Sequence, residues 1–183
     1  MLEALARHPA LRFKLDARAS WSAATVEALA ASGAVEVIDL KGTAVGSPVH
    51  ERPDAARYGA LAQAFPDALF EDPAPELAAL LPRVSWDEPL QDVADLDRLP
   101  PAVAVNVKPA RLGSLARTLE LVRHARERAM SLYGGGHSEL GVGRGQARLL
   151  AALFYPDGPN DLAPKELRAG RIAPAAVTGF RWG

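Results

Sequence analysis

The sequence predicts an α/β protein, an incomplete (β/α) TIM-type barrel of about seven βα units. Three observations carry this expectation. Short runs of β-branched and apolar residues alternate with helical stretches along the chain, which is the pattern of parallel βαβ units. The strand ends fall near residues 16, 39, 71, 87, 108, 135 and 161, a near-regular spacing without a break between lobes. The chain has 183 residues, whereas a complete eight-unit barrel takes about 250.

Each element has its own signal. Leu11 to Asp16 reads as the first strand. Ser20 or Ser22 then caps a helix over 23–30, because a serine hydroxyl can accept a free first-turn N–H. Gly33 is its natural stop. Val35 to Lys41 is the second strand, and a helix follows near 54–64. Ala68 to Glu71 is a strand ended by Asp72-Pro73, with a short helix near 76–81. Val84 to Asp87 is a fourth strand, ended at Pro89, with a short helix over 93–99. Ala102 to Lys108 is apolar without polar alternation until Asn106, as suits a strand buried on both faces. The longest helix is expected over 114–129. Ser131 to Tyr133 enters Gly134-Gly135-Gly136, a helix follows near 144–154, and Asn160-Asp161-Leu162 forms a last short strand. Residues 1–164 therefore read as the barrel and 165–183 as a tail without periodicity.

Composition excludes several classes. Apolar residues make up 49% and charged residues 23%, with a formal net charge of −1. This is globular composition, without the basic excess of a nucleic-acid binder. There is no cysteine, so thiol catalysis and cysteine-held metals are excluded. No apolar run is long enough to span a membrane. The first residues lack the apolar core of a secretory signal, so a cytoplasmic location is expected.

Positive charge is carried by 17 Arg and only four Lys: Lys14, Lys41, Lys108 and Lys165. Three of these lysines fall at strand ends. In a barrel, the C-terminal strand ends form the active face. Read in order, that rim holds Lys14 and Asp16, Asp39 and Lys41, Glu71 and Asp72, Asp87 and Glu88, Asn106 and Lys108, His137 and Glu139, and Asp161. Converging carboxylates repel one another, and a divalent cation cancels that repulsion. Asp39, Glu71 and Asp87 lie on three consecutive strands and suit three hard-oxygen ligands for Mg²⁺. Lysine can act as an acid or base when its surroundings lower its pKa, whereas arginine cannot. Lys108 on the next strand is thus a catalytic candidate. Strand-end acids and Asp-Pro pairs are also ordinary turn chemistry, so it is the joint pattern that carries weight.

Other signals are weaker. Gly134-Gly135-Gly136 before a helix suits phosphate binding at backbone N–H groups. Gly141-Val142-Gly143-Arg144-Gly145 lacks the strand that a dinucleotide loop must follow. His8, His50 and His124 have no metal-ligand spacing, while His137 lies close enough to the glycines to reach the rim. Trp21 and Trp86 read as packing residues.

Four segments together resemble the enolase superfamily, in its mandelate racemase and muconate-lactonising branch. Val105-Asn106-Val107-Lys108-Pro109-Ala110-Arg111-Leu112-Gly113 resembles the family's sixth-strand segment, whose lysine is an acid/base. Phe70-Glu71-Asp72-Pro73 resembles the Glu-x-Pro metal-ligand strand, and Trp86-Asp87-Glu88 the strand after it. Leu132 to Gly141, with Gly134-Gly135-Gly136-His137-Ser138-Glu139, resembles the seventh-strand segment. The resemblance runs from about residue 11 to 164.

It implies an enolase-like C-terminal barrel that lacks its first strand and its capping domain. It further implies Mg²⁺ held by Asp39, Glu71 and Asp87. The reaction implied is abstraction of the proton α to a substrate carboxylate through an enediolate, ending in racemisation, elimination or cycloisomerisation. Lys108 is one acid/base, and Lys14, Asp16 or Lys41 the other. Asn106, His137, Glu139 and Asp161 remain as substrate-binding candidates.

The sequence departs from the family pattern at two places. Asp16 stands where the second lysine of Lys-x-Lys belongs, and Lys41 where Asp-x-Asn has its asparagine. In an alternative register, Asp16 is the first ligand and Asp39 the second. The expected partner is a small carboxylate-bearing substrate, with self-association into a homo-oligomer and no nucleic acid or membrane. Two other functions stay open: a non-catalytic barrel remnant that serves association, and another metal-assisted barrel enzyme such as an aldolase.

Overall fold

The computed structural model describes Glu3, residues 7–137, Glu139 and residues 141–162. The expected tail from 165 onward, Lys165 included, lies outside the described residues. Six parallel strands follow one another in chain order: β1 (Phe13–Asp16), β2 (Val35–Asp39), β3 (Leu69–Glu71), β4 (Val84–Trp86), β5 (Ala104–Val107) and β6 (Ser131–Gly134). The seventh expected strand is reduced to a single parallel bridge between Gly135 and Asp161.

Helices alternate with the strands: α1 (Ala23–Ala31), α2 (Ala55–Ala64), α3 (Asp95–Arg98), α4 (Pro109–Leu112), α5 (Leu115–Glu127) and α6 (Gly141–Phe154). A 3-10 helix, Pro75–Leu80, connects β3 to β4. Ser22, not Ser20, caps α1, its hydroxyl accepting the Thr25 N–H. Asp54 and Ser114 cap α2 and α5 in the same way.

Two boundaries differ from expectation. The longest described helix is α6, with 14 residues, against 13 for α5. Its first turn includes Gly141 and Gly143, which read as breakers because glycine costs about 1 kcal/mol in a helix interior. Packing of Ala147, Leu150 and Ala151 overrides that local preference. The second difference is α4. Pro109 opens this single turn and Gly113, at φ +78°, ends it in the left-handed region that glycine adopts without strain.

The strands alternate between two buried faces. Ile38, Phe70, Val84, Trp86, Val105, Val107 and Leu132 point outward and pack under the helices with Leu29, Tyr58, Leu61, Leu121, Val122 and Leu150. Burying each large side chain of this kind is worth about 1.5–3 kcal/mol. The inward set forms two layers. Val37, Leu69, Ala104 and Tyr133 pack together as a separate apolar cluster. Toward the C-terminal strand ends the same inward periodicity delivers Asp39, Glu71, Ser85 and Asn106, all buried.

The sheet is curled. At about 4.8 Å per strand, a flat sheet would hold β3 and β6 about 14 Å apart. Yet the Tyr133 hydroxyl of β6 lies 2.6 Å from Glu71 of β3. Lys14 of β1 comes within 3.7 Å of Asp161, beyond the other edge of the sheet.

A close backbone approach fixes the rim between β2 and β3. The Gly42 N–H donates to the Asp72 carbonyl at 2.9 Å. A Cβ at Gly42 would stand 2.4 Å from the Ala74 nitrogen and 2.8 Å from the Tyr58 hydroxyl. Gly42→Ala should therefore destabilise the chain by about 1–3 kcal/mol, read as a lower midpoint in urea unfolding. An unchanged midpoint would contradict this packing.

Candidate metal and acid–base centre

Most of the sequence-predicted rim residues form two linked groups. In the first, the Lys14 ammonium lies 2.6 Å from Glu71 Oε1, 3.6 Å from Asp39 Oδ2 and 3.7 Å from Asp161 Oδ2. Lys41 adopts the left-handed backbone region, at φ +52°. Its N–H donates to Asp39 Oδ1 at 3.2 Å, and its ammonium turns back onto Asp39 Oδ2. The same ammonium is 3.4 Å from Asp16 Oδ1. Lys14, Asp16, Asp39, Lys41, Glu71 and Asp161 thus share one network.

The second group centres on Asp87. Lys108 holds its Oδ2 at 2.6 Å and Arg111 its Oδ1 at 2.8 Å. Arg111 also donates to the Asp87 carbonyl. The single turn α4 places Arg111 beside Lys108.

Asp72 joins the two groups. Its carboxylate accepts the Asp87 N–H at 2.7 Å and the Glu88 N–H at 2.8 Å. Asp72 is also left-handed, at φ +49°, a region that aspartate tolerates better than most residues. Its two charge-assisted hydrogen bonds offset the strain and brace the end of β3 against the end of β4. Among the described residues, Asp39, Glu71 and Asp72 each offer one carboxylate oxygen within 4.8 Å of the other two, and all three are buried. Asp87 is turned instead toward Lys108 and Arg111.

Glu71 is fully buried, and each of its oxygens has a partner. Lys14 takes Oε1, and the Tyr133 hydroxyl donates to Oε2 at 2.6 Å. The Ser85 hydroxyl lies 2.9 Å from the Tyr133 hydroxyl.

Burial and charge set the proton affinities. Burial pushes the Glu71 carboxyl up, Lys14 pulls it back, and the nearby acids leave it raised. Burial and the Asp87 charge raise Asp72 to about 7, against the two backbone hydrogen bonds. Asp87 is lowered, because Lys108 and Arg111 outweigh its burial. Lys14 is raised, since Glu71 and Asp39 outweigh the burial that would lower it. Lys41 is raised in the same way by Asp39 and Asp16. Burial, then Glu71, holds the Tyr133 hydroxyl well above its ordinary value.

The substrate-binding candidates Asn106, His137, Glu139 and Asp161 are held in different ways. Asn106 is buried, and neither atom of its amide has a hydrogen-bond partner. Gly135 makes room for it: a Cβ there would stand 2.4 Å from Asn106 Oδ1 and 2.6 Å from Lys108 Cε. His137 is exposed, and its N–H donates to Glu139 Oε2 at 2.7 Å. Asp161 is held by its backbone, its N–H donating to the Gly134 carbonyl at 2.8 Å.

Arg111, Tyr133 and Ser85 were not among the sequence candidates. The signal for Ser85 and Tyr133 was available in the period of two, which puts both on the inward face. Arg111 follows Lys108 by three residues, one helical turn away.

Comparison with known proteins fits this geometry. The family model described as a domain of unknown function (DUF8230), C-terminal domain, matches residues 1–169. The chain belongs to this family. No curated protein matches it.

The fold of this DUF8230 chain is that of part of an enolase-superfamily barrel. A probable mandelate racemase from Alicyclobacillus acidocaldarius superposes with a TM-score of 0.70 at 28% identity, covering 90% of this chain and 48% of that one. An enolase-superfamily member from Listeria innocua gives 0.67 at 24%, covering 82% and 43%. Muconate cycloisomerase from Pseudomonas fluorescens gives 0.64 at 22%, covering 87% and 48%. The chain therefore spans about half the length of these structures.

The donor set fits a hard divalent cation such as Mg²⁺. Three buried carboxylates approach one another within 4.8 Å, and Mg²⁺ prefers oxygen ligands. Each carboxylate oxygen retains a second lone pair beyond the donor it already accepts. A cation here competes with the ammonium groups of Lys14 and Lys41.

In the metal-free chain, raised carboxyls make stability pH-dependent. A carboxyl raised on folding contributes stability that is fully present below its unfolded value and is lost as pH rises through its folded value. For Asp72 that window runs from 3.8 to about 7, and Glu71 acts in the same direction. The melting temperature in EDTA should fall between pH 5 and pH 8, and Asp72→Asn should flatten the slope. A midpoint that rises across this range would contradict the assignment.

Proposed function

We propose that this barrel carries the active site of a Mg²⁺-dependent lyase or isomerase that removes the proton α to a substrate carboxylate. One observation carries the reading: a buried carboxylate cluster, flanked by Lys14 and Lys108, stands at the C-terminal ends of consecutive strands in an enolase-type barrel. The substrate in this reading is a small carboxylate-bearing molecule. Asp39, Glu71 and either Asp72 or Asp87 would hold the metal. Mg²⁺, when bound, supplies electrostatic stabilisation to the charge that develops on the substrate carboxylate.

The chain's own groups divide the remaining work. Lys14 is kept protonated by Glu71 and Asp39, so it serves as a fixed cation. Lys108 is the acid/base that takes the α-proton, and Arg111 holds Asp87 while Lys108 works. Lys41 pairs with Asp39 and Asp16 together and supplies positive charge beside Asp16, which stands where the family pattern has its second lysine. Asn106, His137, Glu139 and Asp161 remain candidates for contacting the substrate.

The test is solvent-deuterium exchange at the α-carbon of a panel of α-hydroxy acids and dipeptides, followed by NMR with Mg²⁺ present. Lys108→Ala should lower the exchange rate by about 10²–10⁴-fold with the circular dichroism spectrum unchanged. Exchange that survives Lys108→Ala, or none with any acid in the panel, would overturn the reading.

A further inference from the structure

Tyr133 stands outside every role assigned above, yet it makes the most deeply buried polar contact in the site. It lies on β6, three strands from Glu71. Tyr133, Ser85 and Glu71 all have 0% of their surface exposed. A phenol has one proton to give. With Glu71 ionised, as a metal ligand must be, Tyr133 gives it to Glu71 Oε2 at 2.6 Å, the short distance of an O–H···O⁻ bond. The hydrogen bond with Ser85, at 2.9 Å, must then run the other way, from the serine hydroxyl to the phenolic oxygen. The proton order is therefore Ser85 to Tyr133 to Glu71, a directed chain across the barrel interior.

The last torsion of a glutamate is broad and roughly two-fold. Backbone placement alone thus leaves the Glu71 carboxylate free to turn. Tyr133 removes that freedom. It ties down Oε2 from below and leaves Oε1 on the side of Lys14 and Asp39.

We infer that Tyr133 is a positioning residue, held by Ser85, that fixes the Glu71 carboxylate in the orientation required to bind the divalent cation. This rests on the metal reading above. Partners that orient a ligand in this way alter metal affinity by about 10- to 100-fold when removed.

Calorimetric titration of Mg²⁺ into the wild-type chain, Glu71→Gln, Tyr133→Phe and Ser85→Ala, well below each melting temperature, tests the inference. Glu71→Gln should abolish binding. Tyr133→Phe should weaken it about 10- to 100-fold, and Ser85→Ala by a smaller factor. A purely structural tyrosine would lower the melting temperature of the metal-free chain and leave the affinity of the folded protein unchanged. If Glu71→Gln loses Mg²⁺ while Tyr133→Phe binds as tightly as wild type, the positioning role is overturned and the metal reading stands. If the wild-type chain binds no Mg²⁺, the metal reading fails and this inference with it. Should Tyr133→Phe not fold, Ser85→Ala decides, and unchanged affinity in that variant overturns the proposal.

Discussion

The constraint on which the upper half of this barrel depends is the cost of burying carboxylates. Asp39 and Glu71 have no exposed surface, and Asp72 and Asp87 have almost none. Unpaired charges in such a place are prohibitively costly. Each acid has therefore recruited its own compensation: Lys41 for Asp39, Lys14 and Tyr133 for Glu71, two backbone N–H groups for Asp72, and Lys108 with Arg111 for Asp87. A buried pair of this kind is weak evidence for stability, because desolvation consumes most of the Coulombic gain. Apolar residues would fill the same space at lower cost. The arrangement is easier to understand as the maintenance of a reactive site.

The apolar layer beneath makes that maintenance feasible. Val37, Leu69 and Ala104 cluster with the Tyr133 ring on the inward face. The phenol thus belongs to both layers, with its ring in the plug and its hydroxyl in the polar network. Strand register matters more here than in most sheets. A one-residue slip of β3 would put Phe70 inside and Glu71 under the helices.

Much of this was legible in the sequence. Strands β2 to β5 are marked by a β-branched run or a terminating proline and β6 only by the glycine run it enters, while the lysine scarcity draws attention to Lys14, Lys41 and Lys108. Less legible were the groups whose chemistry is disguised by local context. Asp72 precedes a proline and reads as turn chemistry, although its side chain braces two strands. Tyr133 sits in an apolar strand and reads as packing, since only the curl of the sheet brings it to Glu71, 62 residues earlier in the chain. Arg111 carries no signal of its own, because an isolated four-residue helix has no periodicity to announce it. Local pattern reveals elements, whereas these three contacts are set by closure of the sheet.

Because the strands neighbour one another in chain order, the barrel can be laid down from its N-terminal side as the chain leaves the ribosome. Each βα unit packs on the one before it, so every strand pairing joins neighbours in the chain. The polar centre does not share this locality. Asp39 has its lysine within two residues and Lys14 already made, whereas Glu71 waits for β6 before its second oxygen is satisfied. A nascent chain halted before Tyr133 would hold a half-compensated carboxylate in an apolar trough. Emergence of the sixth strand is thus the moment at which the site becomes electrostatically complete.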